Sequence, residues 1–180
     1  MHPEPRIFVI SGLPGVGKST VSRLLAERLG AAAHVEADRL QELIVAGAAV
    51  PDVSGTTEEA ARQLRLRLHN AALLARSFAA AGFSAIIDDI VAGPRFDEVA
   101  ADLTGVSFSF VMLLADLEVM KARWRAMASP YADAWDWIDQ DIRERTPRVG
   151  LWVETASRTP EEVAQVVFER REEAVVRGSS

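Results

Sequence analysis

A glycine-rich segment near the start of the chain has the residue types and spacing of a phosphate-binding loop: Gly12, Leu13, Pro14, Gly15, Val16, Gly17, Lys18 and Ser19. It fits the pattern G-x-x-x-x-G-K-[ST], with an apolar stretch before it and an amphipathic stretch after it. Glycines let backbone N–H groups turn inward around a phosphate, and the following helix adds its partial positive charge. We expect Lys18 to reach the β- and γ-phosphates of a nucleoside triphosphate. The Ser19 hydroxyl is the candidate ligand for Mg²⁺, with Thr20 behind it.

A carboxylate pair follows the second apolar stretch, in the segment Glu36-Ala37-Asp38. Strand alternation would place residues 36 and 38 on one face, with Asp38 at the mouth of a cleft. A carboxylate there can accept or orient the proton of an attacking hydroxyl, so Asp38 is the candidate catalytic base and substrate contact. An aspartate at this position also fits the cap of the next helix. The neighbouring Arg39 is a candidate substrate contact or a solvated surface residue.

Two adjacent acids end a second apolar segment, Ile86-Ile87-Asp88-Asp89. Burying two carboxylates at a strand end is costly without partners, which indicates a function. The arrangement is that of a Walker B element, whose carboxylate holds Mg²⁺ or its water. We predict that Asp88 serves the metal and that Asp89 either contacts the substrate or supports the residues that do, with the order of the two aspartates left open. Arg95, shortly afterwards, is another candidate substrate contact.

The second half of the chain supplies candidate positive charges for the phosphate that is transferred. These basic residues lie before and within a tryptophan-rich segment: Lys121, Arg123, Arg125, Arg143, Arg145 and Arg148. We predict that residues 128–148 form a mobile lid that excludes water and brings arginines onto the phosphates. Arg123 and Arg125 are the candidate catalytic arginines, although positions i and i+2 cannot face one side of a straight helix. The alternative is a solvated helix surface laced by Asp139, Asp141 and Glu144.

The apolar periodicity places these groups on alternating strands and helices. Strands are predicted over residues 6–11, 33–36, 83–87, 106–114 and 151–155. Helices are predicted after the glycine loop, over 39–46, 57–81, 94–103 and 116–127, and from residue 160 onwards, with a capping box between Thr56 and Glu59. The alternation indicates a three-layer α/β fold, an open parallel sheet between helices, in which ligands bind at the carboxyl ends of the strands. The glycine loop and the aspartates lie at such ends.

Composition narrows the classes of protein. A chain of 180 residues with 49% hydrophobic and 26% charged residues predicts one domain over residues 1–180. The absence of cysteine excludes disulfides and a cysteine nucleophile. No signal peptide and no apolar run of about 20 residues are found, so we expect a cytoplasmic protein without a membrane partner. A net charge of −6 does not favour nucleic acid. The expected partner is a small-molecule substrate, and a homodimer is compatible with the sequence.

The glycine loop of residues 12–19, the acid-x-Asp of 36–38 and the Ile-Ile-Asp-Asp of 86–89 together resemble the small P-loop kinases of the nucleoside-monophosphate-kinase-like superfamily. Within it the chain is most similar to the chloramphenicol phosphotransferase-like group, alongside shikimate and gluconate kinases. The resemblance implies a five-stranded sheet of order 2-3-1-4-5, ATP as phosphate donor, and Mg²⁺. It also implies that Asp38 is the base and that the lid arginines of the family correspond to Arg123 or Arg125.

These features favour an ATP-dependent kinase that phosphorylates a hydroxyl of a small molecule, either a metabolite or an antibiotic, the latter as a resistance enzyme. The alternatives are a polynucleotide or RNA-end kinase, a zeta-type toxin that phosphorylates a sugar nucleotide, and a regulatory nucleotide-binding ATPase. A polynucleotide kinase would need a basic groove, which the acidic net charge of −6 disfavours. A GTPase would need an Asn-Lys-x-Asp base-reading motif, and the sequence has none.

Overall fold

A parallel sheet forms the centre of the protein. The computed structural model describes residues 6–52, 55–129 and 135–176. The strands are β1 (Ile7–Gly12), β2 (Ala32–Glu36), β3 (Ser84–Asp88), β4 (Phe108–Leu114), β5 (Leu151–Glu154) and β6 (Val175–Val176). The first five are parallel in the order β2-β3-β1-β4-β5, which confirms the predicted sheet. The short β6 pairs antiparallel with β4 and is an addition to that sheet.

Helices alternate with the strands along the chain. They are α1 (Lys18–Leu29), α2 (Ala37–Glu42), α3 (Glu58–Ala80), α4 (Pro94–Asp102), α5 (Leu117–Ala126), α6 (Asp136–Gln140) and α7 (Pro160–Glu169), with a π-helical turn at Asp141–Arg145. Strands β1 and β3 are buried at every position, as expected of a parallel sheet covered on both faces. Among the described residues, no helix is long and apolar enough to cross a membrane.

Helix α3 is the longest element and forms one wall of the cleft. Its buried stripe includes Leu68, Ala71 and Ala75, as the periodicity predicts. The helix begins one residue later than the predicted capping box requires, because the side chain of Thr57, rather than Thr56, accepts a hydrogen bond from the N–H of Ala60. Gly82, whose φ is +88°, follows the end of the helix and turns the chain into β3.

Helix α2 differs from its predicted bounds of 39–46. It begins directly after β2, at Ala37, and ends at Glu42. Buried Gln63 of α3 holds the loop that follows α2, because it donates to the Gly47 carbonyl at 2.7 Å and accepts from the Ala49 N–H at 2.8 Å. These backbone groups therefore bond to a side chain rather than to a continuing helix. The prediction that strand alternation positions Asp38 was wrong, since this residue lies in the first turn of a helix.

Parts of two predicted segments lie outside the described residues. These are residues 53 and 54 of the loop after α2 and residues 130–134 of the predicted lid. The remainder of the lid comprises α6 and the π-helical turn. Both carry a buried isoleucine, Ile138 at 3% exposed and Ile142 at 1%. The described part of the lid is thus packed onto the rest of the protein.

Candidate active site

The phosphate-binding loop joins β1 to α1 and depends on glycine geometry. Gly12 and Gly17 have φ values of +147° and +103°, which residues with side chains rarely adopt. A Cβ atom on Gly12 would also lie 2.5 Å from the Leu113 carbonyl oxygen. The Lys18 ammonium donates to the carbonyl oxygens of Gly12 and Leu13, at 3.1 Å each. The lysine is therefore folded back over the loop, where a phosphate would replace these carbonyls as its partner.

Opposing charges surround Lys18. Burial lowers the pKa of this lysine, while the nearby carboxylates of Asp88, Asp89 and Asp38 act in the opposite direction and leave the pKa still below its ordinary value of 10.5. The loop lysine and three aspartates predicted from separate parts of the sequence are thus close enough to interact. The parallel sheet brings them together because their elements meet at the carboxyl ends of neighbouring strands.

Trp124 of α5 supports the loop from behind. Its indole Nε1–H donates to the Pro14 carbonyl oxygen at 3.2 Å. Gly15 has a φ of +73°, and a Cβ there would lie 3.1 Å from the same nitrogen. The Trp124 ring also packs edge to face on Trp135, with centroids 5.1 Å apart. An aromatic pair therefore connects the phosphate-binding loop to the described part of the lid.

Ser19 and Asp88 line the same cavity and are suited to share a magnesium ion. Among the described residues, no three His, Cys, Asp or Glu side chains form a group that could hold a metal by themselves. Mg²⁺ in nucleotide sites commonly takes one or two protein oxygens, with phosphate oxygens and water as its other ligands. The pair fits that pattern. The Nε2 atom of His34 lies 3.1 Å from Asp88 Oδ2, and this contact positions the carboxylate.

Arg67 of α3 links two of the aspartates. It is buried, with 9% of the residue exposed. Its Nη1 donates to Asp38 Oδ1 at 2.6 Å, while Nη2 and Nε donate to the two oxygens of Asp89 at 2.5 Å and 3.3 Å. Asp38 is itself 83% exposed. The arginine therefore holds one oxygen of Asp38 and leaves Oδ2 as the oxygen that can accept a proton from a substrate.

From the sequence alone, Arg67 is interpreted as one of several exposed arginines on a long helix, with contact to substrate as the alternative, and its buried position is not predicted. A signal was present. Arg67 lies directly before buried Leu68 and four residues before buried Ala71, within the stripe that faces the core. A buried position for a charged residue indicates a fixed partner, here the carboxylates at the strand ends.

Of the two predicted roles of Asp89, support of neighbouring residues fits the position of its side chain better than contact with a substrate. Its side chain is 1% exposed and also accepts from Arg95 Nη2 at 2.8 Å and from the Ile90 N–H at 2.7 Å. Burial raises the pKa of Asp89, but Arg95 and Arg67 outweigh burial and hold the pKa below its ordinary value of 3.8. With its oxygens occupied, this carboxylate positions the two arginines instead of contacting a substrate.

Two cavities meet at Asp38. The first, of about 400 Å³, runs along the phosphate-binding loop and past Ser19 and Asp88. The second, of about 360 Å³, lies between α3 and the lid and is mainly apolar. It is lined by Pro14, Asp38, Pro51, Leu64, Arg67, Ile90, Ala92, Pro94, Arg95, Trp135, Trp137, Ile138 and Asp141. Pro14, Asp38 and Ile90 line both cavities. A group bound in the second cavity can therefore reach the phosphate site beside Asp38.

The two candidate catalytic arginines of α5 occupy different surroundings. Arg123 lines a third cavity of about 270 Å³ on the other side of the phosphate-binding loop, together with Thr155 and Arg158 from the segment between β5 and α7. Arg125, two positions along the helix, is exposed and does not line any of the three cavities. This separation follows from helix geometry. Thr155 and Arg158 carry no motif that could have identified them from the sequence.

Two of the arginines of the lid, Arg143 and Arg145, make ion pairs within it. Arg143 bonds Asp139 at 2.8 Å and Arg145 bonds Asp141 at 2.9 Å, both at i, i+4 spacing. These arginines therefore fit the alternative of a solvated helix surface with ion pairs better than the prediction that they contact phosphates.

Arg39 also lies away from the cleft. Its side chain is 69% exposed and pairs with Glu42 at 3.0 Å. It lines none of the three cavities, so the predicted contact with substrate has no support in the geometry. Of its two sequence interpretations, the solvated surface residue fits.

Comparisons with known proteins agree with the fold. A family model described as an AAA domain matches residues 7–150. A UPF0200 protein of Aeropyrum pernix is 39% identical over 71 residues, which are 39% of this chain and only 37% of that protein.

Two solved structures share the fold over nearly the whole chain. The Deinococcus radiodurans tunicamycin resistance protein has a TM-score of 0.69 at 19% identity, covering 97% of this chain and 99% of that one. The Mycobacterium tuberculosis APS kinase CysC, in complex with AMPPNP and APS, has a TM-score of 0.65 at 18% identity, covering 94% and 99%. At such identities the similarity establishes the P-loop kinase-like fold.

Proposed function

The chain belongs to the AAA-domain family, and we propose that it is an ATP-dependent kinase that transfers the γ-phosphate to a hydroxyl group of a small molecule. The observation that carries the proposal is the junction of the two cavities at Asp38. One cavity has the loop, lysine and serine of a nucleotide site, and the other is enclosed by apolar and aromatic side chains. A protein that only bound or hydrolysed ATP would not need the second cavity.

The proposed reaction is an in-line displacement at the junction. The acceptor oxygen forms a bond to the γ-phosphorus as the bond from that phosphorus to the bridging oxygen of ADP breaks. Asp38 Oδ2 takes the hydroxyl proton, while Arg67 holds Oδ1 at 2.6 Å and so fixes the carboxylate. Lys18 exchanges its loop carbonyl partners for β- and γ-phosphate oxygens and offsets the charge there. The proton then leaves Asp38 for solvent, to which this side chain is open.

Mg²⁺ fits this site through Ser19 and Asp88, and it would supply charge neutralisation on the β- and γ-phosphates. The third cavity, with Arg123 and Arg158, suits the nucleotide end farther from the transferred phosphate. The AMPPNP bound by the APS kinase of similar fold supports ATP as the donor.

The acceptor that we propose is a metabolite or an antibiotic. The fold shared with a tunicamycin resistance protein, together with the resemblance to the chloramphenicol phosphotransferase-like group, supports including antibiotics among the acceptors.

A screen with radiolabelled ATP tests the proposal. The purified protein is incubated with [γ-³²P]ATP, Mg²⁺ and hydroxylated antibiotics, sugars, nucleosides and 5′-hydroxyl oligonucleotides, and the products are separated. We expect label to enter at least one small alcohol. Label in oligonucleotides alone would favour an RNA-end kinase instead. Label released only as inorganic phosphate, whatever the acceptor, would support a regulatory ATPase and contradict the proposal.

A further inference from the structure

The second cavity contains two arginines but offers neither to an anionic ligand. Arg67 and Arg95 both donate to Asp89, which lies buried between them. Arg67 additionally bonds Asp38. An arginine pair that converges on one point is the usual means of binding a carboxylate or phosphate. Here the protein's own carboxylate occupies that point.

The remaining charges of the cavity do not restore a positive field. Asp38 and Asp141 line it, and Asp89 lies behind the two arginines, so three carboxylates surround two guanidinium groups. Arg145 bonds Asp141 from the exposed side and at most brings the charges into balance. A negatively charged group entering this apolar space would lose its hydration without gaining an unpaired cation among the described residues.

The cavity does offer contacts to neutral groups. Trp135 and Trp137 provide aromatic surface for a ring, and Leu64 and Ile138 add aliphatic surface.

We infer that the acceptor is an uncharged or cationic alcohol with an apolar or aromatic body, and that Asp89 determines this specificity by occupying the anion position between Arg67 and Arg95. The inference concerns the acceptor of the proposed kinase reaction and so rests on the proposed function. It assigns Asp89 a selective role, in addition to its role in positioning the arginines.

A series of three benzyl-substituted alcohols tests the inference without phosphate transfer. The probes are 3-phenyl-1,2-propanediol, phenylalaninol and 3-phenyllactate, which share a benzyl group and carry at least one hydroxyl, and which are neutral, cationic and anionic. Their affinities are measured without ATP by the change in tryptophan fluorescence, since two tryptophans line the cavity. In the wild-type protein we expect the neutral and cationic probes to bind at least about 10-fold more tightly than 3-phenyllactate.

Asp89→Asn should reverse the preference, because it removes the negative charge between the two guanidinium groups while Arg67 keeps its bond to Asp38. 3-Phenyllactate should then bind about 10-fold more tightly than to the wild type. Asp102→Asn is the control. This substitution likewise removes the carboxylate partner of an arginine, since Asp102 Oδ2 lies 2.6 Å from Arg65 Nη1. Because neither residue lines the cavity, the order of the three affinities should not change.

Equal or tighter binding of 3-phenyllactate to the wild type would overturn the inference, as would failure of all three probes to bind. The wild-type comparison stands by itself if Asp89→Asn does not fold. A protein that prefers the anionic probe yet phosphorylates an alcohol would refute this inference and leave the kinase proposal intact. A protein that binds the neutral probe but transfers no phosphate to any alcohol would refute the kinase proposal instead.

Discussion

Replacing Arg67 by methionine would remove the cation that holds both Asp38 and Asp89, while keeping an unbranched side chain of similar length. Asp89 accepts hydrogen bonds from Arg67, Arg95 and the Ile90 N–H, and the substitution removes both of those from Arg67. Because the Asp89 side chain is 1% exposed, water cannot easily replace the lost donors. The buried carboxylate would be left with one arginine.

The expected cost follows from these contacts. Removing one partner of a buried ion pair costs roughly 3–5 kcal/mol, and the remaining Arg95 places this case near the lower end, at about 3 kcal/mol. The contact with Asp38 adds little to stability, since that carboxylate is 83% exposed and exposed ion pairs contribute less than about 1 kcal/mol. Urea unfolding followed by circular dichroism measures the change.

The double variant Arg67→Met, Asp89→Asn isolates the pair. It removes the uncompensated charge, so it should recover much of the stability lost in the single variant.

The stabilisation that Asp89 provides depends on pH in a definite direction. Burial raises the pKa of Asp89, but Arg95 and Arg67 hold the folded-state pKa below 3.8, so the stabilisation is complete above that pH and is lost as pH falls through the folded-state pKa. The difference between the wild type and Arg67→Met should shrink over the same range.

A loss below about 1 kcal/mol in Arg67→Met would refute the buried clamp, since it would place Arg67 among ordinary surface residues. A double variant as unstable as the sum of the single variants would show that Arg67 and Asp89 are not coupled in this way.

Three further predictions concern Trp124, Gln63 and the two arginines of α5. Trp124→Phe keeps an aromatic ring but loses the indole N–H that donates to the Pro14 carbonyl, so calorimetry should show ATP binding about 5-fold more weakly. An unchanged affinity would contradict the supporting role of Trp124. Gln63→Leu removes bonds to the loop after α2 and should lower the free energy of unfolding in urea by about 2 kcal/mol; a loss under about 0.5 kcal/mol would be inconsistent with those bonds. Arg123→Ala should weaken ATP binding at least about 5-fold and Arg125→Ala, its matched control, less than about 2-fold; equal effects would refute the assignment of the third cavity.

The sheet could be predicted from the sequence because its signals are local. Apolar β-branched runs, glycine turns and capping residues fix the strands and most helices within a few residues, and the loop motif identifies the first turn. Helix α2 is the exception. The loop after it is held by hydrogen bonds with Gln63, which lies 16 residues after Gly47 in the chain, and no pattern near residue 42 encodes that contact.

The acids of the site could be predicted because they follow apolar strands whose ends share one edge of the sheet. Their partners could not. Whether Asp89 faces a substrate or a protein cation depends on how α3 and α4 pack beside β3. This packing places Arg67 of α3 on both oxygens of Asp89 and Arg95 of α4 on Oδ2. Local sequence likewise could not separate Arg123 from Arg125, since the cavity beside Arg123 forms only where α5 meets the segment after β5.

The central claim is that phosphate transfer occurs at the junction beside Asp38, and single-turnover kinetics of Asp38→Asn test it most directly. With excess enzyme, [γ-³²P]ATP and an acceptor found in the screen, transfer should slow by about 100-fold or more while calorimetry gives an unchanged affinity for ATP. Arg39→Gln, at the adjacent exposed residue, is the control and should transfer at the wild-type rate. Transfer by Asp38→Asn at the wild-type rate, with ATP bound normally, would contradict the account.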